Sequence, residues 1–119
     1  MDKDRLKAVQ SLIELSHSLD SVAEQIRGFK WDYEGKPVEL TSCHLMKILN
    51  AFLDKKMSAA DVEQWANLVE GREDISFESS SEEWIGQVIH ELANPYLTQP
   101  LNENRVRELI ADSAKKRIE

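Results

Sequence analysis

Ser58-Ala59-Ala60-Asp61-Val62-Glu63-Gln64-Trp65-Ala66-Asn67-Leu68-Val69-Glu70-Gly71 contains the start, the buried face and the stop of one helix. Ser58, with Asp61 three residues on, approximates a capping box, in which side chains satisfy first-turn N–H groups that have no partner within the helix. Val62, Trp65, Ala66 and Val69 recur at spacings of three and four, so they fall on one stripe. Gly71 accepts the left-handed conformation that ends a helix. Such a stripe is buried only against other elements, so the segment predicts a helical bundle.

The same grammar extends outward in both directions. Thr41 caps a preceding helix whose face is Leu45, Ile48, Leu49, Phe52 and Leu53, with Lys55 and Lys56 complementing the dipole at its end. Leu12, Leu15, Leu19, Val22 and Ile26 predict one long helix from about Asp4 to Arg27, ended by Gly28 in a left-handed conformation. His17 falls on its polar side. Between these helices Phe29, Trp31 and Tyr33 alternate with Lys30, Asp32 and Glu34, the period of a short strand or extended arm. Its pairing candidate lies around Ile75 and Phe77. Trp31 and Tyr33 are open between core and contact roles.

Toward the C-terminus, Ser80 with Glu83 predicts a helix start, followed by the face Trp84, Ile85, Val88, Ile89 and Leu92 and a stop before Asn94-Pro95. Asn102 caps a last helix and Leu101 is placed to staple onto Val106. Leu109, Ile110, Ala114 and Ile118 continue its face, and Lys115, Lys116 and Arg117 suit its C-terminal end. The expected fold is mainly α, a single helical domain over residues 1–119 built as a bundle of about five amphipathic helices with a short extended aromatic segment.

Composition narrows function. With 31% charged residues and no long apolar run, no transmembrane helix is expected. Met1-Asp2-Lys3-Asp4-Arg5 mixes charges rather than opening an apolar run, and Cys43 is the single cysteine, which together predict a soluble, cytoplasmic protein without an internal disulfide. A net charge of −7 has the wrong sign for nucleic acid or an anionic membrane, since phosphate binding draws on Lys and Arg releasing counterions.

Catalytic and metal signatures fail on single residues. His90-Glu91-Leu92-Ala93-Asn94 begins like a zinc-binding His-Glu-x-x-His helix, but Asn94 stands at the second ligand position. Gln87 stands where a carboxylate-bridged iron site would place Glu before His90. Cys43 and His44 are adjacent, which by itself assembles no nucleophile and base. The helix pair from Leu45 to Glu70 resembles a helix-turn-helix in outline, yet its second helix carries Asp61, Glu63 and Glu70 and would be repelled by phosphate. The expectation is a non-enzymatic protein with no metal or cofactor.

Charge is unevenly distributed. Between Glu70 and Glu91 seven acidic residues face Arg72 alone, which accounts for six of the seven net negative charges. Glu82 and Glu83 suit a helix N-terminus, and Glu91 fits an exposed face of the same helix. Glu70 falls in the last turn of a helix, against the dipole, and Glu73, Asp74 and Glu78 repel one another in a loop. Residues that defy local preference mark functional segments. Glu70, Glu73, Asp74, Ile75, Phe77 and Glu78 are therefore the expected partner-binding residues, with Ile75 and Phe77 open between apolar anchors ringed by charge and residues folded back onto the core. The expected partner is a basic protein.

Ile48-Leu49-Asn50-Ala51-Phe52-Leu53-Asp54-Lys55-Lys56-Met57-Ser58-Ala59-Ala60-Asp61-Val62-Glu63 sets a short helix, a lysine turn and a Ser-capped acidic helix in series. This arrangement resembles the small helical bacterial immunity proteins that protect against colicin D-type and contact-dependent growth-inhibition toxins. The resemblance implies an acidic, cytoplasmic protein that neutralises a cognate toxin domain, often a basic nuclease acting on tRNA, by occluding its active site. The alternative is a non-enzymatic adaptor or regulatory module that binds a cellular protein.

Overall fold

Three of the expected caps close with both donor and acceptor in place. Ser58 Oγ accepts from Asp61 N at 3.1 Å, and Asp61 Oδ2 accepts from Ser58 N at 3.0 Å. Thr41 Oγ1 accepts from His44 N at 3.3 Å, while His44 Nδ1 accepts from Thr41 N at 2.9 Å, so a histidine completes a second capping box. Asn102 Oδ1 accepts from Arg105 N at 2.9 Å. Each removes an unpaired first-turn donor and is worth about 0.5–2 kcal/mol.

The computed structural model describes residues 2–16, 18–30 and 32–118, with side chains described except at Asp2 and 114–118. His17 and Trp31, and the side chains of Ala114, Lys115, Lys116, Arg117 and Ile118, thus lie outside the described residues. The chain is mainly helical. In order it forms α1 (Asp2–Glu14), α2 (Leu19–Arg27), β1 (Val38–Leu40), α3 (Ser42–Leu53), α4 (Ala59–Val69), β2 (Ile75–Phe77), a 3₁₀ turn (Ser79–Ser81), α5 (Glu82–Ala93) and α6 (Glu103–Ile118).

The single long first helix of the sequence reading is two helices. Leu15 adopts φ 48°, Leu15 N donates to Leu12 O at 3.3 Å and Ser16 N donates to Ser11 O at 3.2 Å. That bond pair is a Schellman ending with Leu at the position usually held by Gly. Ser18 then caps α2 through Ser21 N at 3.2 Å. The apolar stripe continues across the break, which hides it from periodicity. Gly28, expected to be left-handed, ends α2 at φ −74°, whereas Gly71 does take φ 84°.

The strand assignment also changes. β2 pairs in parallel with Val38–Leu40, in the register Val38↔Ile75, Glu39↔Ser76 and Leu40↔Phe77, and not with the aromatic segment before Gly35. The carbonyls of Lys30 and Asp32 accept from Arg5 Nη2 at 2.5 and 2.7 Å, so they are consumed by a side chain rather than a ladder. Arg5 also lies over the Tyr33 ring, 4.6 Å from its centroid. A parallel pair needs a long crossover, which α3 and α4 supply. The start of α5 shifts too: Ser80, the expected cap, sits inside the 3₁₀ turn, and Ser81 precedes α5 without a side-chain capping bond.

Trp65 and Trp84 are core residues, as expected. Trp65 is fully buried and donates Nε1 to Leu12 O at 2.8 Å, satisfying a carbonyl in the last turn of α1. Trp84 donates Nε1 to Leu109 O at 3.3 Å and ties α5 to α6. Leu101 is partly buried against the core cluster, to which the fully buried Val106 belongs. Among the described residues no buried side-chain nitrogen or oxygen lacks a partner.

Gly86 lies inside α5, and a Cβ there would meet Phe77 Cε2 at 3.7 Å, ordinary van der Waals contact. Gly86→Ala is therefore expected to stabilise the fold by about 0.8–1 kcal/mol through helix propensity. Urea unfolding at constant m-value measures it; a loss of stability would mean that the Phe77 ring has no room to accept the methyl.

Candidate protein-docking surface

The loop after α4 is organised by one carboxylate. Asp74 is completely buried, Oδ1 accepts from Arg72 Nε at 2.8 Å, and Oδ2 accepts from Arg72 Nη2 and Arg5 Nε, each at 2.9 Å. Arg72 Nη2 also donates to Lys30 O at 3.3 Å. Burial alone would push the Asp74 carboxyl up, but the hydrogen bonds and charges of Arg72 and Arg5 outweigh it and hold the group below its ordinary value. The expected repulsion among Glu73, Asp74 and Glu78, relieved by Arg72 alone, is corrected here. Arg5, 69 residues away in sequence, shares the neutralisation.

The other expected contact residues separate into distinct roles. Ile75 is buried and Phe77 is half-buried against the core, so neither stands out as an anchor ringed by charge. Glu78 Oε1 accepts from Ser42 N at 3.0 Å, placing a carboxylate on the first N–H of α3, where the dipole favours it. Glu70 Oε2 pairs with His90 Nδ1 at 2.9 Å and Glu70 Oε1 accepts from Asn94 Nδ2 at 3.2 Å, which relieves its position at the end of α4. Glu73 remains exposed, with Oε1 accepting from Tyr33 N at 3.3 Å. Glu91 is not a free surface charge: Arg105 grips it with Nε at 2.7 Å and Nη2 at 2.6 Å. The hydrogen bond to Glu91 raises the Arg105 pKa.

The residues 32–42 run alongside 73–78, joined by the Tyr33–Glu73 bond, the strand register and the Ser42–Glu78 bond. This brings acidic residues from two distant stretches of chain to one junction. Asp32, Glu34 and Glu39 are exposed on one stretch, and Glu73, Glu82 and Glu83 are exposed on or just after the other. Lys36 is the one exposed cation in 32–42 and 73–83. The first three carboxylates escaped the sequence reading because the parallel pairing that gathers them was assigned to the wrong segment.

The remaining chemistry has structural uses. His44 Nδ1 accepts a backbone hydrogen bond, which leaves its proton on Nε2, and Cys43 beside it is exposed. His90 is occupied with Glu70, and no group of three His, Cys, Asp or Glu able to hold a metal ion occurs among the described residues. No helix among them is long and apolar enough to cross a membrane. No family model, curated protein or solved structure matches the chain.

Asp74→Asn would leave the buried Arg72 guanidinium and the half-buried Arg5 guanidinium without their carboxylate, with an expected loss of about 3–5 kcal/mol in urea unfolding. The depressed Asp74 pKa adds a pH signature. Its stabilisation is complete above the ordinary value of 3.8 and drains away as pH falls through the lower folded value. Between the ordinary value and the lower folded one, the wild-type protein should therefore lose stability more steeply with falling pH than Asp74→Asn; parallel acid profiles would remove Asp74 from this role.

Proposed function

We propose that this chain is a non-enzymatic immunity protein that binds and neutralises a cognate basic toxin domain in the cytoplasm. On the likeness of residues 48–63 to immunity proteins, the toxin is a nuclease acting on tRNA. One observation carries the proposal: six exposed carboxylates lie on two chain-distant segments, 32–42 and 73–83, that the parallel pairing brings side by side, and Lys36 is the one exposed cation within those segments. A nuclease must present Lys and Arg to phosphate, so a complementary acidic surface competes for the groups that bind its substrate. Steering by such a surface speeds capture by about 10- to 1,000-fold, which matters when a toxin must be caught before it acts. Asp74 and Ile75 are left out of this surface because they are buried, and Glu78 contributes from the α3 N-terminus.

The adaptor reading is favoured by a different observation. Tyr96 and Leu97 present exposed apolar surface beyond the C-terminal end of α5, away from Glu82 and Glu83 at its start. The two readings differ in what the partner does when free.

Purified protein mixed with the product of the gene immediately upstream is expected to abolish cleavage of tRNA by that product at equimolar ratio. Binding to a product without nuclease activity would favour the adaptor. The combined variant Glu34→Lys, Glu39→Lys and Glu73→Lys is expected to slow association about tenfold or more and flatten its salt dependence, with the helical circular-dichroism signal intact. Unchanged association would make the ridge a solvated surface and nothing more.

A further inference from the structure

Ala59, Ala60 and Glu63 share one face of α4 through spacings of three and four, and the two alanines leave that face bare. Opposite them, the chain after α5 passes Pro95, Tyr96, Pro100 and Leu101 before α6 begins at Glu103. Between lies a groove of about 620 Å³, lined mostly by apolar atoms and floored by Leu92. The loop that forms its far wall is tied down: Leu97 N and Thr98 N both donate to Asn94 O at 3.0 Å, and Thr98 Oγ1 lies 2.8 Å from Asn94 O and 3.1 Å from Glu91 O. On this braced loop Tyr96 is 98% and Leu97 79% exposed, the two large apolar side chains left in solvent among the described residues.

We propose that this groove is a docking site for an extended or helical peptide segment of a partner protein, carrying two large apolar residues and a Lys or Arg. Volume alone would also suit a small molecule, since such pockets span about 300–1,000 Å³. The rim decides against it. Tyr96 lines the wall yet is almost fully exposed, and Leu97 next to it lies outside the lining, so covering both takes a ligand that extends past the walls, and a rigid tyrosine is a frequent interface anchor. The charge requirement comes from Glu63. It is half-buried in the wall and makes no hydrogen bond or ion pair among the described residues, whereas Glu91 is already neutralised by Arg105. A cation on the occupant would pair with Glu63, and an anion would be repelled. A second copy of this chain is the less suited occupant, because the net charge of −7 opposes self-association.

This site is separate from the acidic ridge, since Leu92 lies about 15 Å along α5 from Glu82 and Glu83 at 1.5 Å per residue. It stands whether or not the partner of the ridge is a toxin. The test uses two phage libraries of twelve-residue peptides. Each member has two large apolar residues; one library adds a Lys or Arg, and the other a Glu in its place. Enrichment on the intact protein is expected from the cationic library only. The affinity of an enriched synthetic peptide, measured by fluorescence anisotropy, should fall at least tenfold with Tyr96→Ala, with Ala60→Phe, which fills the groove, and with Glu63→Lys. It should not change with Glu34→Lys or Glu73→Lys. All five positions avoid the buried core, and circular dichroism checks that each variant folds. The proposal is overturned by the absence of enrichment, by equal enrichment from the Glu library, or by peptides indifferent to Tyr96 and Ala60. It is equally overturned by concentration-dependent dimerisation of the wild type that Tyr96→Ala abolishes, which would put a second copy in the groove.

Discussion

The ion cluster of Asp74 with Arg5 and Arg72 is the constraint on which the remaining geometry of this end of the molecule depends. One buried carboxylate fixes a guanidinium from α1 and another from the loop after α4. Those guanidiniums in turn hold the carbonyls of Lys30 and Asp32, and so set the path of the chain between α2 and β1. The backbone of the same residue begins the sheet, because Val38 N donates to Asp74 O at 2.9 Å. Two cations against one anion leave a net positive charge, which the two backbone carbonyls offset as dipoles on the half-buried Arg5 side of the cluster. Such a cluster need not exceed a well-packed apolar core in net stability. Its contribution is to register: it ties Lys30, Asp32 and Val38 to residues 72–74 and to α1 through one set of donors.

That dependence explains which parts of the fold were legible in the chain. Caps at Thr41, Ser58 and Asn102 and the faces of α3, α4 and α5 are local, set by residues three or four apart, and they were read directly. The break at Leu15 was not, because its signal is a backbone bond pair closed on a leucine where glycine is usual. A left-handed leucine costs roughly 1–2 kcal/mol, which its half-buried packing helps to offset. β1 was missed for another reason. Phe29 and Tyr33 alternate like a strand, but a long-range arginine claims the carbonyls they would need, and three residues before a helix cap carry too little pattern to compete.

The candidate surface was half legible for the same cause. Local charge density pointed to residues 70–91, yet density does not distinguish Asp74, which is buried between arginines, from Glu73 next to it, which is exposed. Sequence neighbours on opposite sides of a loop have opposite fates, and the partner that decides between them is Arg5. Conversely, Asp32, Glu34 and Glu39 belong to the surface through pairing alone. Tyr96 and Leu97 went unread because an apolar pair beside Asn-Pro looks like the tail of a buried face until the loop is seen to turn it outward.

Several carboxylates of the ridge have local uses that require no partner. Glu39, mid-strand and exposed, discourages a second chain from pairing with a short open sheet edge. Glu82 and Glu83 suit the start of α5, and Glu73 accepts the Tyr33 N–H. None of these uses requires the residues to be neighbours in space. Edge protection is equally served by Lys, and a helix start needs no second acidic segment beside it. Bringing Asp32, Glu34 and Glu39 to the end of the molecule that already carries Glu73, Glu82 and Glu83 adds like-charge repulsion that each local role would be free to avoid. The joint placement, and not any one carboxylate, is what the proposed basic partner would account for.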